Sequence, residues 1–207
     1  MFTMSNNLGL QINSLMVSYP DWEYCYNLKV ADQSRVALLG QSGIGKTTLL
    51  LAIAGFAPIK SGELRFNDQV ITHQPPQDRP VAMLFQEDNL FEHLTIQQNL
   101  RLGLDKSQNP DRRIEEALQE LNLIDQLKKK PHQLSGGQRQ RIGIIRTLLR
   151  PEPIIILDEP LTGLDSDTKQ NVLDWIDKKL SEQQKMLIMV THQRSEAERL
   201  GCKLTSL

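Results

Sequence analysis

The feature that most constrains this chain is the run Gly40-Gln41-Ser42-Gly43-Ile44-Gly45-Lys46-Thr47-Thr48, which follows the apolar stretch VALL at 36–39 and leads into the apolar stretch TLLLAIA at 48–54. A buried strand that passes through three glycines into a helix is the setting of a phosphate loop. The glycines let backbone N–H groups converge on phosphate oxygens, and the helix N-terminus adds a partial positive charge. In that setting Lys46 is expected to reach the β- and γ-phosphates of ATP, and the Thr47 hydroxyl to help hold Mg²⁺. An ordinary glycine-rich turn is the alternative reading, and the flanking strand and helix weigh against it.

The rest of the chain reads as strands alternating with helices around a largely parallel sheet, an α/β protein. Short apolar runs at 36–39, 81–85, 154–157 and 186–190 have the continuous hydrophobicity of strands covered on both faces. More polar strands are expected at 11–18, 26–30 and 63–66, with Asn67-Asp68 as a turn before 70–71, which forms an antiparallel region beside that core. From about residue 95 to 149 the pattern turns helical, broken at Asn109-Pro110 and Lys130-Pro131, as for a helical insertion between two core strands. A further helix is expected to start near Ser166 and to bury Val172, Ile176 and Leu180. At 207 residues one domain is expected, with about residues 10–86 and 151–207 forming a nucleotide-binding core with the β subdomain, and about residues 87–150 the helical subdomain.

The run Ile154-Ile155-Ile156-Leu157-Asp158-Glu159 places two carboxylates at the carboxyl end of a buried strand, the edge at which α/β sheets bind ligands. Asp158 suits a Mg²⁺ ligand, and Glu159 suits the group that orients and deprotonates an attacking water. Both could instead cap the following turn. A second glycine turn, Leu134-Ser135-Gly136-Gly137-Gln138, again leads into an apolar helix and makes a second anion site.

Two such cradles in one compact domain resemble the ATP-binding cassettes of the ABC family, whose signature is LSGGQ. The resemblance runs from about residue 11 to 200 and implies an ATPase that pairs head to tail with a second copy of itself, so that Ser135, Gly136, Gly137 and Gln138 of one chain cover the γ-phosphate held by the other. It also implies roles for residues whose types alone say little. Gln86 matches the glutamine that contacts Mg²⁺ or the water, His192 the switch histidine at the γ-phosphate, Asp165 the loop crossing the dimer interface, and Tyr19 the aromatic that stacks on adenine. By itself Asp165 reads as a helix cap, His192 as a structural histidine, and Tyr24 rivals Tyr19 because Trp22, Tyr24 and Tyr26 alternate along one strand.

Within the family, the stretch Arg79-Pro80-Val81-Ala82-Met83-Leu84-Phe85-Gln86-Glu87-Asp88-Asn89-Leu90-Phe91-Glu92-His93-Leu94-Thr95 is similar to the ATPase subunits of bacterial thiamine importers. That resemblance implies a membrane permease as partner, docked along residues 86–94, a periplasmic solute-binding protein acting indirectly, and a place at the cytoplasmic face of the inner membrane. A cassette ATPase without a transported solute, such as a cell-division regulator, and an importer of another small solute are the alternatives. The formal net charge of −1 gives no electrostatic case for nucleic acid, and Lys128-Lys129-Lys130 reads as a solvated helix end. Cys25 and Cys202 lie in no CxxC pair, which fits structural thiols in a reducing, intracellular setting. No segment approaches a membrane span, so a membrane role is expected through the partner. Two departures from the family pattern stand out: Ala31-Asp32-Gln33-Ser34 replaces the usual glycine-glutamate turn, and the sequence stops at Leu207, so the last sheet strands are expected to be missing or abbreviated.

Overall fold

The computed structural model describes residues 9–87, 89–104 and 109–207. Two sheets carry the architecture. The antiparallel one orders its strands β2-β1-β4-β5, from β1 (Gly9–Tyr19), β2 (Trp22–Ala31), β4 (Ile59–Phe66) and β5 (Gln69–Val70). The other is parallel throughout, ordered β6-β7-β8-β3-β9, from β3 (Arg35–Leu39), β6 (Val81–Leu84), β7 (Ile154–Asp158), β8 (Met186–Val190) and β9 (Lys203–Ser206). The helices are α1 (Lys46–Ala54), α2 (Ile96–Arg101), α3 (Pro110–Glu120), α4 (Gly136–Leu149), α5 (Ser166–Gln183) and α6 (Arg194–Arg199).

The period-two alternation of strand side chains divides the interior into two cores on either face of the parallel sheet. Ile154, Ile156, Met186, Ile188, Val36 and Leu38 point toward α1 and the antiparallel sheet, where they meet Leu49, Leu50, Ile53, Leu10, Ile12 and Leu64. Ile155, Leu157, Leu187, Met189 and Ala37 point the other way, into the core formed with α2 to α5. All five residues of β7 and all five of β8 are buried, as the uninterrupted apolar runs require. On α5, Val172, Ile176 and Leu180 are buried as their spacing predicts, joined by Leu173 and Trp175.

The strand after β8 is abbreviated rather than missing: β9 pairs in parallel with β3 from Val36↔Lys203 to Leu39↔Ser206 and forms that edge of the sheet. It is short and mostly polar, Leu204 apart, with two of its four residues exposed, so it carries no apolar run to read. The two glycine-led helices also begin earlier than their apolar stretches, α1 at Lys46 and α4 at Gly136, because the first turn of each is polar. Among the described residues no helix is long and apolar enough to cross a membrane.

The helical region is anchored to the core at defined points. Asn99, fully buried, accepts from the Phe91 N–H at 2.8 Å and donates to the carbonyls of Phe91 and Thr95 at 3.0 and 3.1 Å, fixing the loop before α2. Glu120, at the end of α3, accepts from Trp175 Nε1 at 2.7 Å and Lys178 Nζ at 2.6 Å, which ties that helix to α5. Burial acts against its charge, yet the hydrogen bonds from Lys178, Trp175 and Lys179 hold its carboxyl down at about 2.

Candidate nucleotide-binding site

The phosphate loop leaves the carboxyl end of β3 and enters α1 with Gly43 and Gly45 at φ of 86° and 90°, a region open to glycine at little cost. Gly45 has a second reason to lack a side chain, since a Cβ there would lie 2.5 Å from the Tyr26 hydroxyl. That hydroxyl donates to the Gly45 carbonyl at 2.8 Å, and the Tyr24 hydroxyl donates to the Gly43 carbonyl. Two tyrosines of β2 thus hold the loop's carbonyls on the sheet side. The Lys46 ammonium, buried at the mouth of α1, donates to the carbonyls of Gly40 and Gln41 at 2.9 and 2.8 Å.

A cavity of about 500 Å³ opens above this loop. Ser42, Gly43, Gly45, Lys46, Thr47 and Thr48 line it, together with Trp22, Tyr24, Gln86, Glu159 and His192. Five separate segments of the sequence therefore converge on one space of nucleotide size. Gly40, Gln41 and Ile44 belong to the same loop without lining the cavity. The Ile44 side chain instead lies under Gly40, where a Cβ on the glycine would meet it at 2.5 Å. Tyr19 lies against Trp22 with ring centroids 4.2 Å apart and is not among the lining residues, whereas Trp22 and Tyr24 are. Trp22 was visible only as part of an alternating aromatic strand, and its 41 % exposure beside the loop is what marks it.

Asp158 ends β7 at 1 % exposure, with neither carboxylate oxygen given a hydrogen-bond partner. Burial raises its carboxyl above the ordinary value, opposed by the adjoining Thr47 hydroxyl and by the Lys46 charge. A buried, unsatisfied carboxylate beside a hydroxyl is expensive unless a cation completes it, so the donor set fits a hard divalent ion. Among the described residues no group of three or more His, Cys, Asp and Glu side chains could hold a metal by itself. With two protein oxygens only, most of a coordination shell would fall to phosphate and water, the habit of magnesium in nucleotide sites.

Glu159, one residue on, takes a left-handed backbone at φ 47°, while its N–H donates to the Val190 carbonyl at 3.0 Å. Such a backbone turns the chain sharply at the strand end. The turn swings the carboxylate out of the core toward the loop, where Oε1 lies 2.9 Å from His192 Nε2. The acid from β7 and the histidine after β8 thus share one contact facing the cavity.

The second glycine turn lies elsewhere. Ser135 caps α4, accepting from the Gln138 N–H at 3.2 Å, while the Gln138 side chain accepts from the Ser135 N–H at 3.0 Å. This reciprocal box leaves the N–H groups of Gly136 and Gly137 at an exposed helix start. None of Ser135, Gly136, Gly137 and Gln138 lines the phosphate-loop cavity. Gly136 lines a separate cavity of about 320 Å³ with Glu87, Asn89, Arg139 and Gln140, and Gln86 lines both spaces. Asp165 caps α5, its Oδ1 accepting from the Thr168 N–H at 2.9 Å, as its position suggested.

A further cavity of about 520 Å³ lies beside residues 85–91, lined by Phe56, Phe85, Asn89, Phe91, Arg146 and Arg150 among others. Phe56 and Phe91 are 54 % and 46 % exposed, and the Arg146 guanidinium sits 4.9 Å over the Phe91 ring. Arg146 also donates to the Asn89 carbonyl at 2.6 Å, so α4 supports the segment that carries Gln86.

A parallel sheet with a phosphate loop after β3, a buried aspartate ending β7 followed by a glutamate that faces the cavity, and a histidine after β8 defines a phosphate-loop ATPase. The glycine turn opening α4 narrows the class to an ATP-binding cassette. Residues 25–162 match the family described as ABC transporter, and the chain belongs to that family. It is 43 % identical over 191 residues to a thiamine import ATP-binding protein of Histophilus somni, a match covering 90 % of this chain and 89 % of that one. The corresponding proteins of Haemophilus influenzae and Vibrio cholerae are 44 % and 39 % identical, covering 89 % and 85 % of their own lengths. Among solved structures, a dimeric post-hydrolysis state of the ATP-binding cassette MJ0796 bound to ADP and Pi is similar at a TM-score of 0.84 and 28 % identity, over 96 % of this chain and 94 % of that one.

Proposed function

We propose that this chain is the ATP-hydrolysing subunit of an importer for thiamine or its phosphates, acting as a head-to-tail pair beneath a membrane permease. The observation that carries the pairing is the separation of the two cradles: the signature turn opens onto a different space from the phosphate loop of its own chain. A second copy, turned about a two-fold axis, supplies the missing cradle to each site.

Within each site Lys46 and the N–H groups of the loop hold the β- and γ-phosphates, and Trp22 and Tyr24, with Tyr19 behind Trp22, offer aromatic surface to the base. Thr47, Asp158 and Gln86 are the residues that would hold magnesium, which when bound neutralises charge on the β- and γ-phosphate oxygens. Glu159 accepts a proton from the attacking water as its oxygen bonds to the γ-phosphorus and the bond to the leaving ADP oxygen breaks. His192, in contact with that carboxylate, orients it and faces the γ-phosphate. The aromatic cavity around Phe56, Phe85 and Phe91 supports a docking surface for the permease, and with it a peripheral position at the cytoplasmic face of the membrane.

Thiamine is supported by the names of the three relatives and their coverage of nearly the whole chain. The experiment is ATPase assay of the chain reconstituted with its permease in vesicles. Thiamine-loaded binding protein is expected to stimulate hydrolysis, and stimulation by another solute's binding protein in its place would overturn the substrate while leaving the ATPase intact.

A further inference from the structure

Glu196 is only 6 % exposed and does not line the phosphate-loop cavity. A carboxylate that deep in a protein is costly unless it is paired and hydrogen-bonded. Its Oε2 accepts from the Thr191 hydroxyl at 2.5 Å, and its Oε1 faces Lys169 Nζ at 3.4 Å. Thr191 is itself buried and is the residue immediately before His192. The same hydroxyl accepts from the Gln193 N–H at 3.0 Å, while the Glu196 N–H donates to the Gln193 carbonyl at 3.1 Å. With its side-chain amide in the orientation that satisfies both neighbours, Gln193 also donates to Glu196 Oε1 at 3.2 Å and accepts from Lys169 Nζ at 3.0 Å. The three-residue turn that carries His192 is therefore fastened on both sides to one buried carboxylate.

We propose that Glu196, with Lys169, is a positioning residue that sets His192 against Glu159 through the Thr191 turn. The His192 side chain is 48 % exposed, and its recorded contact is the one to Glu159. Its direction therefore comes from its backbone, which leaves β8 at Val190 and is fixed by Thr191 and Gln193. Lys169 carries the arrangement further. Its N–H donates to the carbonyl of Asp165, the cap of α5, at 2.9 Å. One ion pair thus joins the first turn of α5 to the turn holding the histidine. A shift of that helix start on pairing of two chains would reach His192 through Lys169 and Glu196, a contiguous route of packed polar groups.

The proposal rests on the reading that His192 takes part in hydrolysis, and its test separates the two. Steady-state ATP hydrolysis by the purified full chain is compared for Glu196→Ala, Thr191→Val, Thr191→Ser, His192→Ala and the Glu196→Ala/His192→Ala double variant, with thermal melting of each. Glu196→Ala and Thr191→Val are expected to lower kcat about tenfold with KM for ATP within about twofold, and Thr191→Ser to restore kcat, because its hydroxyl keeps both hydrogen bonds. In the His192→Ala background, Glu196→Ala is expected to cause no further loss. If Glu196→Ala keeps its full effect there, or if Thr191→Val matches wild type, the positioning role is overturned while His192 keeps its own. If His192→Ala turns over ATP at the wild-type rate, the histidine's role falls and the proposal with it.

Discussion

Replacing Glu120 by Gln tests how the helical subdomain is fastened to the core. The carboxylate is held at about 2 in the folded chain against 4.5 as its unperturbed value, and Gln keeps the shape and an oxygen for the Trp175 N–H. At about 1.4 kcal/mol per unit, a shift of about 2.5 units corresponds to about 3.4 kcal/mol. The Glu120 side chain is 30 % exposed and that of Lys178 52 %, so solvent screening reduces the expected contribution to about 2 kcal/mol. The sign follows from the depressed folded value: the stabilisation is complete above pH 4.5 and is lost as pH falls toward 2. With the depression discounted in the same way to about 1.5 units, roughly 20 % of it should remain at pH 3, from the proton occupancies of the folded and unfolded states. Urea unfolding of wild type and Glu120→Gln between pH 7 and pH 3 reads this directly. A stability gap that stays constant over that range would refute the electrostatic account and assign the effect of the substitution to packing.

Two further variants address the loop and the chemistry. Gly45→Ala is expected to abolish tight ATP binding, since the new Cβ would lie 2.5 Å from the Tyr26 hydroxyl on a backbone at φ 90°. Equilibrium titration with a fluorescent ATP analogue checks it, and adding Tyr26→Phe should recover only part of the loss, because the backbone strain persists. Glu159→Gln is expected to bind ATP normally and hydrolyse it at least about a hundredfold more slowly, as measured by phosphate release.

Local chemistry was legible in the sequence where one short segment carried it. The phosphate loop, the Asp158-Glu159 pair and the Ser135 turn each combine a strand or helix end with the residues that act there, so spacing along the chain is also spacing in the fold. The early start of α4 could have been read from Ser135 and Gln138, three residues apart as a capping box demands. Strand β9 and helix α6 escaped because neither has a run of apolar residues: one is an edge strand, and the other is a six-residue polar turn that buries little besides Ala197 and Glu196. The contacts between distant segments were invisible. Nothing in the order of residues announces that Lys169 meets Glu196, that Glu120 meets Trp175, or that Tyr24 and Tyr26 hold the carbonyls of Gly43 and Gly45. Tyr26 reads as one of three alternating aromatics, and burial of its ring against the loop is a property of sheet pairing that a single strand does not encode.

The claim that each ATP site is built from two chains is tested most directly by mixing two inactive variants, Lys46→Ala and Ser135→Glu. In a mixed pair, one site combines both defects and the other combines an intact phosphate loop with an intact signature turn. Random pairing of equal amounts makes half the dimers mixed, so the mixture is expected to recover about a quarter of wild-type turnover, provided one intact site suffices. If the mixture stays as inactive as either variant alone under conditions where mixed dimers are shown to form, the shared site is contradicted.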